Sequence, residues 1–168
     1  FGIHKMQIIL KNKDTLLFDE FKFKCAIGKR GVTSNKKEGD KKTPRGLYSL
    51  GPLYYRKDKF SNPETKLKKI IINKSMGWCD DINSKYYNQP IKINKKFRHE
   101  KLFRKDGIYD MLIPINYNTK NPIKKKGSAI FIHLTKNYKS TLGCIALKEN
   151  DFLILLRLIN RRTKIKIL

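Results

Sequence analysis

A histidine and a cysteine, each at the end of a short apolar run, are the residues of this chain whose types and spacing can do chemistry. The stretch from Gly127 to Leu147, GSAIFIHLTKNYKSTLGCIAL, opens with Ala129-Ile130-Phe131-Ile132, a β-branched and aromatic run that reads as a buried strand ending in His133. A polar segment, Thr135 to Lys139, turns the chain, and Ser140-Thr141-Leu142-Gly143-Cys144 leads into a second apolar run, Ile145-Ala146-Leu147. A thiol with a pKa of roughly 8.5 is a weak nucleophile near neutrality, and it becomes a catalyst when an imidazole or an amide dipole favours the thiolate. A Cys and a His at facing strand ends can supply that pair. Gly143 permits close backbone approach, so the N–H groups of Gly143 and Cys144, with the Thr141 hydroxyl nearby, are candidates to meet a developing oxyanion. The same residue types also suit a buried core cysteine and a satisfied strand-end histidine, and spacing alone does not choose between the two readings.

The wider pattern adds a resemblance. His133, the loop after it and Thr141-Leu142-Gly143-Cys144-Ile145 resemble the signature of the YkuD-type L,D-transpeptidases: a His, a variable loop, Ser/Thr-x-Gly-Cys and an apolar residue. Upstream, Gly28-Lys29-Arg30-Gly31, followed by Lys36-Lys37-Glu38-Gly39-Asp40-Lys41-Lys42-Thr43-Pro44-Arg45-Gly46, is similar to that family's G-x-x-G…K-x-E-G-D-x-x-T-P-x-G block. Gly77-Trp78-Cys79-Asp80-Asp81, with Tyr109-Asp110 after it, resembles the short stand-alone members. Two positions depart from the commoner pattern: Leu142 stands where many members carry His, and Ala146 where they carry Arg or Asn.

The resemblance implies a mostly β fold, the YkuD-type β-sandwich of two packed sheets with a C-terminal helix packed on it, and a single catalytic domain over residues 1–168. It implies cysteine-dependent acyl transfer on peptidoglycan stem peptides in cell wall biogenesis, with Cys144 as nucleophile and His133 as base. Gly143 and Thr141 would serve the oxyanion, and Gly46 and Tyr48 would lie beside the site. Trp78 and Asp80 are further candidates for a pocket wall, the carboxylate facing a substrate ammonium; the bland alternative is a core-capping indole and a turn-forming acid. Neither a metal nor an organic cofactor is expected. Stem peptides as donor and acceptor are the implied partners, β-lactams of the carbapenem type the implied inhibitors, and the cell envelope the implied location. No signal peptide is visible after Phe1 and no apolar run is long enough to span a membrane.

Composition frames the rival readings. The net charge is +25, from 39 Lys and Arg against 14 Asp and Glu, which makes a polyanion the first partner to weigh. A basic nucleic-acid-binding β-domain would use the eight tyrosines and nine phenylalanines as stacking platforms. The lysines are scattered, however, and no motif of such a domain is present, so no nucleic-acid partner is expected. A non-catalytic wall-binding relative is the other alternative. Three cysteines, Cys25, Cys79 and Cys144, have no zinc-site spacing.

The elements that must hold the pair read mostly as strands. His4 to Leu10, Leu16 to Phe18 and Phe21 to Ile27 suggest a β-meander. Gly28 to Gly46 reads as a long loop, Leu47 to Leu53 as a strand, Leu67 to Ile72 as another, and Gly77 to Asp81 as a loop. A short helix is expected around His99 to Arg104 and a strand from Gly107 to Ile113. Phe152 to Ile159 reads as a helix capped by Asn150 or Asp151, and Thr163 to Leu168 as a closing strand.

Overall fold

Hydrophobic alternation decides the first sheet. Ile8 and Leu10, Leu16 and Phe18, and Ile165 and Ile167 are buried while their strand neighbours are not, so each strand turns one face to a common core. The computed structural model describes residues 7–168; His4 and the first residues of the first expected strand lie outside the described residues. In chain order the elements are β1 (Gln7–Lys11), β2 (Thr15–Phe18), β3 (Phe21–Lys24), β4 (Val32–Thr33), β5 (Thr43–Pro44), β6 (Gly46–Ser49), β7 (Leu53–Tyr55) and β8 (Lys69–Ile71). There follow β9 (Met76–Cys79), β10 (Pro90–Lys92), β11 (His99–Lys101), β12 (Met111–Pro114), β13 (Phe131–Leu134), β14 (Ile145–Leu147), helix α1 (Glu149–Leu158) and β15 (Lys164–Ile167).

One five-stranded sheet has the order β3-β2-β1-β15-β6 and the other β14-β13-β12-β7-β8. The first three strands form the expected meander, and the closing strand β15 enters between β1, to which it is parallel, and β6, to which it is antiparallel. Ile8, Leu16 and Ile165 from the first sheet meet Leu53, Ile113, Ile132 and Ile145 from the second in one core. Phe152, Leu155 and Leu156 of α1, at helical spacing, join it. The mostly β sandwich with a C-terminal helix is therefore as the resemblance implied.

A three-stranded sheet, β10-β9-β11, is added to the sandwich. It covers the outer face of the second five-stranded sheet, where Tyr54, Leu112, Phe131 and Cys144 form a separate apolar cluster with Trp78 of β9. The second sheet is thus buried on both faces, which is why β12, β13 and β14 are continuous apolar runs rather than alternating ones.

Several elements differ from the sequence reading. The single strand expected over Leu47 to Leu53 is two, β6 and β7, in opposite sheets; Gly51-Pro52 lies between them, and the proline ring removes a donor from any continuous ladder. The Gly77 segment is strand β9 rather than loop, with pairing on both sides deciding against its turn-like composition. Around His99 the chain is strand β11, paired with β9, rather than helix. Helix α1 starts at Glu149, with Lys148 rather than Asn150 or Asp151 at its N-cap and no side-chain cap bond; the acids Glu149 and Asp151 instead complement the dipole of the first turn. Residues 107–110 precede β12 rather than belonging to it.

Candidate active site

Strands β13 and β14 lie side by side in parallel, with Ile132 opposite Ile145, His133 opposite Ala146 and Leu134 opposite Leu147. Ile130, Ile132, Leu134, Ile145 and Leu147 face the main core. The alternate residues Phe131 and Cys144 face the outer cluster. The period of two puts His133 on that outer face with Phe131, and Cys144 there with Ala146, the residue opposite His133. Histidine and cysteine therefore share one face of neighbouring strands, diagonally offset.

In this state the thiol is turned to the backbone. Sγ accepts the Phe131 N–H at 3.3 Å and donates to the Ala129 carbonyl at 3.2 Å. Burial pushes the thiol up to about 12, with the Glu100 carboxylate adding to the rise and the Phe131 N–H and Lys36 opposing it. His133 Nδ1 lies 2.8 Å from the Leu134 carbonyl. A carbonyl only accepts, so Nδ1 carries the proton and Nε2 holds the basic lone pair. Burial brings the imidazole down to about 4, partly offset by that carbonyl. The pair at neutral pH is thus a thiol and a neutral imidazole, not the thiolate expected from the motif.

The turn before Cys144 is held from two sides. Thr141 Oγ1 accepts the Gly143 N–H at 3.1 Å and donates to the Cys144 carbonyl at 2.6 Å. Of the two amides expected at an oxyanion, that of Gly143 is therefore already bonded. Gly143 has φ +142°, and a Cβ there would stand 2.9 Å from the Lys42 carbonyl, so only glycine fits. The carbonyl of Gly143 accepts from Thr43 Oγ1 at 2.8 Å, and the same fully buried hydroxyl accepts the Gly28 N–H at 3.0 Å. Asp40 shapes the loop between Gly28 and Thr43 by receiving the Lys37 and Lys42 amides and the buried Lys36 ammonium. The sequence reading missed Thr43 as an individual, although it stands in the block that carried the resemblance.

A second layer lies over the pair. The Tyr109 ring stands edge-on to Phe131 and to His133, with centroids 5.5 and 5.4 Å away, and its hydroxyl donates to Glu100 Oε1 at 3.0 Å. Burial raises the Glu100 carboxyl, which the Tyr109 hydroxyl opposes and the charges of Asp80 and Glu38 reinforce. Trp78 is a buried core ring, edge-on to Phe131 at 5.0 Å, its Nε1 donating to Asn88 Oδ1 at 2.9 Å. Asp80 lines a cavity of about 660 Å³ together with Glu38, Asp81, Arg98, Lys125 and Lys126 among others. Gly46 and Tyr48 are in β6 of the other sheet; Tyr48 donates to the Arg45 carbonyl and meets Tyr117 edge-on, and their described contacts do not include Cys144 or His133. Among the described residues no three His, Cys, Asp or Glu side chains are placed to hold a metal ion, and no helix is long and apolar enough to cross a membrane.

With this geometry established, the family is decided by a match over nearly the whole chain. Residues 4–167 match the YkuD family, described as the L,D-transpeptidase catalytic domain. The chain belongs to the YkuD family. Among solved structures it is similar to Bdellovibrio bacteriovorus Bd1075, with a TM-score of 0.51 at 15% identity over 100% of this chain and 49% of that one. It is also similar to the K307A mutant of the helical cell shape determining protein Pgp2 from Campylobacter jejuni, with a TM-score of 0.49 at 17% identity over 96% of this chain and 46% of that one. The chain therefore spans about half the length of either structure. No curated protein matches it. This YkuD domain thus carries Cys144 and His133 on one sheet face beneath a small covering sheet.

Proposed function

We propose that this YkuD domain is a cysteine L,D-transpeptidase of the cell envelope that acts on peptidoglycan stem peptides. The observation that supports it best is the placement of Cys144 and His133 on the same face of adjacent parallel strands, with the tautomer of His133 leaving Nε2 as a base. In the reaction, Cys144 Sγ attacks the carbonyl joining the diamino acid of a donor tetrapeptide to its terminal D-alanine. His133 Nε2 takes the thiol proton as the S–C bond forms and returns it to the departing D-alanine amine, leaving a thioester. An acceptor amine, or water, then attacks the thioester and frees the thiol.

The shifts of both groups mean that the proton moves in concert with attack, since a preformed thiolate–imidazolium pair is disfavoured in so dry a site. With the Gly143 N–H held by Thr141, the Cys144 N–H is the donor left at this turn for the tetrahedral oxyanion. One such donor is typically worth roughly 2.7–4 kcal/mol. The turn itself is pre-set by Thr141 and Thr43, so little reorganisation accompanies the step.

The test is intact-protein mass spectrometry after incubation with a carbapenem, comparing the wild type with Cys144→Ser. One covalent adduct, absent from the variant, is expected, together with release of D-alanine from tetrapeptide muropeptides by the wild type alone. A wild type that neither forms the adduct nor releases D-alanine would identify a non-catalytic wall-binding relative instead.

A further inference from the structure

The segment that receives the Cys144 thiol has an uncommon backbone. Gly127 and Ala129 have φ +114° and +54°, and alanine enters the left-handed region only where its surroundings impose it. Here the surroundings come from two other parts of the chain. The Tyr87 hydroxyl accepts the Gly127 N–H at 3.0 Å and donates to Glu38 Oε1 at 2.6 Å, and the Ser128 hydroxyl donates to the same carboxylate oxygen at 2.5 Å. Asn88 holds Ala129 itself: its Oδ1 accepts the Ala129 N–H at 3.0 Å.

Asn88 is 2% exposed, and all four hydrogen-bonding places of its side-chain amide are filled. Oδ1 also accepts from Trp78 Nε1 at 2.9 Å, and Nδ2 donates to the Tyr117 and Asn118 carbonyls at 3.0 and 2.7 Å. Two donors on one side and two carbonyls on the other leave the amide a single orientation. The backbone N–H of Asn88 donates to the Cys79 carbonyl at 2.8 Å, so the residue is anchored to β9.

We infer that Asn88 is a positioning residue for the nucleophile, acting through the backbone of Ala129. With the Gly127 and Ala129 N–H groups both held, the Ala129 carbonyl points at Cys144 Sγ, 3.2 Å away. The thiol is pinned between this carbonyl and the Phe131 N–H at 3.3 Å, on the sheet face it shares with His133. As Sγ attacks, its proton passes from the Ala129 carbonyl to His133 Nε2, and the Phe131 N–H, which already favours the charged sulfur, stays in place. Without Asn88, Ala129 relaxes out of the left-handed region, its carbonyl turns away, and the sulfur loses one of its two anchors. This role rests on the function proposed above.

Asn88→Asp and Asn88→Gly separate positioning from folding. Aspartic acid, kept protonated by burial, retains the acceptor for Ala129 and Trp78 and loses the paired amide donors to Tyr117 and Asn118. Glycine adopts the left-handed φ of Asn88 and loses all four bonds. Both variants should melt below wild type. For release of D-alanine from a tetrapeptide, kcat should fall at least tenfold in Asn88→Gly with KM within about twofold, whereas Asn88→Asp should keep both within about threefold. The infrared S–H band of Cys144, isolated by subtracting the spectrum of Cys144→Ser, reads the contact itself without turnover. It should lie at the lower frequency of a hydrogen-bonded thiol in wild type and Asn88→Asp, and rise to that of a free thiol in Asn88→Gly. A free-thiol band in wild type, a wild-type kcat in Asn88→Gly, or a tenfold loss of kcat in a folded Asn88→Asp overturns the inference; the first and last stand even if the glycine variant does not fold. A wild type that releases no D-alanine overturns the proposed function instead, and the infrared bands still decide whether Asn88 places the thiol.

Discussion

Thr43 ties the loop after Gly28 to the turn before Cys144 through one hydroxyl, a link across 100 residues of chain. Thr43→Val keeps the shape and leaves the buried Gly28 N–H and Gly143 carbonyl without a partner, a loss of about 1–3 kcal/mol. A lower melting temperature is expected, with a fall in kcat on tetrapeptide exceeding any rise in KM, since the turn that aims the thiol loosens. Thr43→Ser restores both bonds and should behave nearly as wild type; a kcat unchanged in the valine variant would sink the positioning role. His133 gives a second measurement. Its imidazole, at about 4 in the fold, sits below the unfolded value near 6.5, so between these limits the unfolded chain binds more protons. The stabilisation is complete above pH 6.5 and is lost as pH falls toward 4, amounting to about 3 kcal/mol. Denaturant midpoints measured from pH 7 to 4 should fall more steeply for wild type than for His133→Gln, and parallel curves would show that His133 is not buried neutral. Cys144 and His133 were legible in the sequence because strand ends and motif coincide there. The role of Thr43 was not, because its partner is remote along the chain, and the protonated thiol was not, because it follows from burial by elements that periodicity placed elsewhere.

At the scale of elements, legibility followed the strength of local pattern. The meander and β15 alternate cleanly, and β13 and β14 are apolar runs, so their sequences alone place them. β9 and β11 exist through each other: Met76-Gly77-Trp78-Cys79 and His99-Glu100-Lys101 have little strand period, yet pairing opposes His99 to Cys79 and Glu100 to Trp78. That pairing brings Glu100 to Tyr109 and completes the cover over Cys144, so the part of the site that local pattern could not reveal is the part built by β9 and β11. The helix offers a way to separate packing from chemistry. Phe152 is fully buried in the main core, on the opposite face of the second sheet from the thiol. Phe152→Ala should cost about 3–5 kcal/mol of stability by opening a cavity. Below the lowered melting temperature, carbapenem acylation should proceed at a rate within about twofold of wild type. Loss of acylation in a variant that circular dichroism shows to be folded would mean that α1 sets the geometry of the Cys144 turn as well as the core.

At the scale of the whole molecule, the charge of +25 is the property least tied to any one residue. The described ion pairs are few, Lys36 with Asp40, Arg56 with Asp58 and Asp110, Arg98 with Asp80 and Arg104 with Asp106, so most of the positive charge faces solvent uncompensated. Such a field acts over about 10 Å at 0.1 M salt and about 3 Å at 1 M, a range that matters for an extended anionic polymer and hardly for a single short peptide. Two substrates therefore divide its contribution from that of short-range contacts at the site. On intact wall fragments, kcat/KM should fall at least fivefold as sodium chloride rises from 0.05 to 0.5 M, because long-range attraction is screened. On a soluble tetrapeptide the fall should be smaller, since a short ligand samples little of the long-range field. Equal slopes on the two substrates would place the salt-sensitive contacts within reach of the short peptide, and a flat response on both would mean that the lysine-rich surface takes no part in docking.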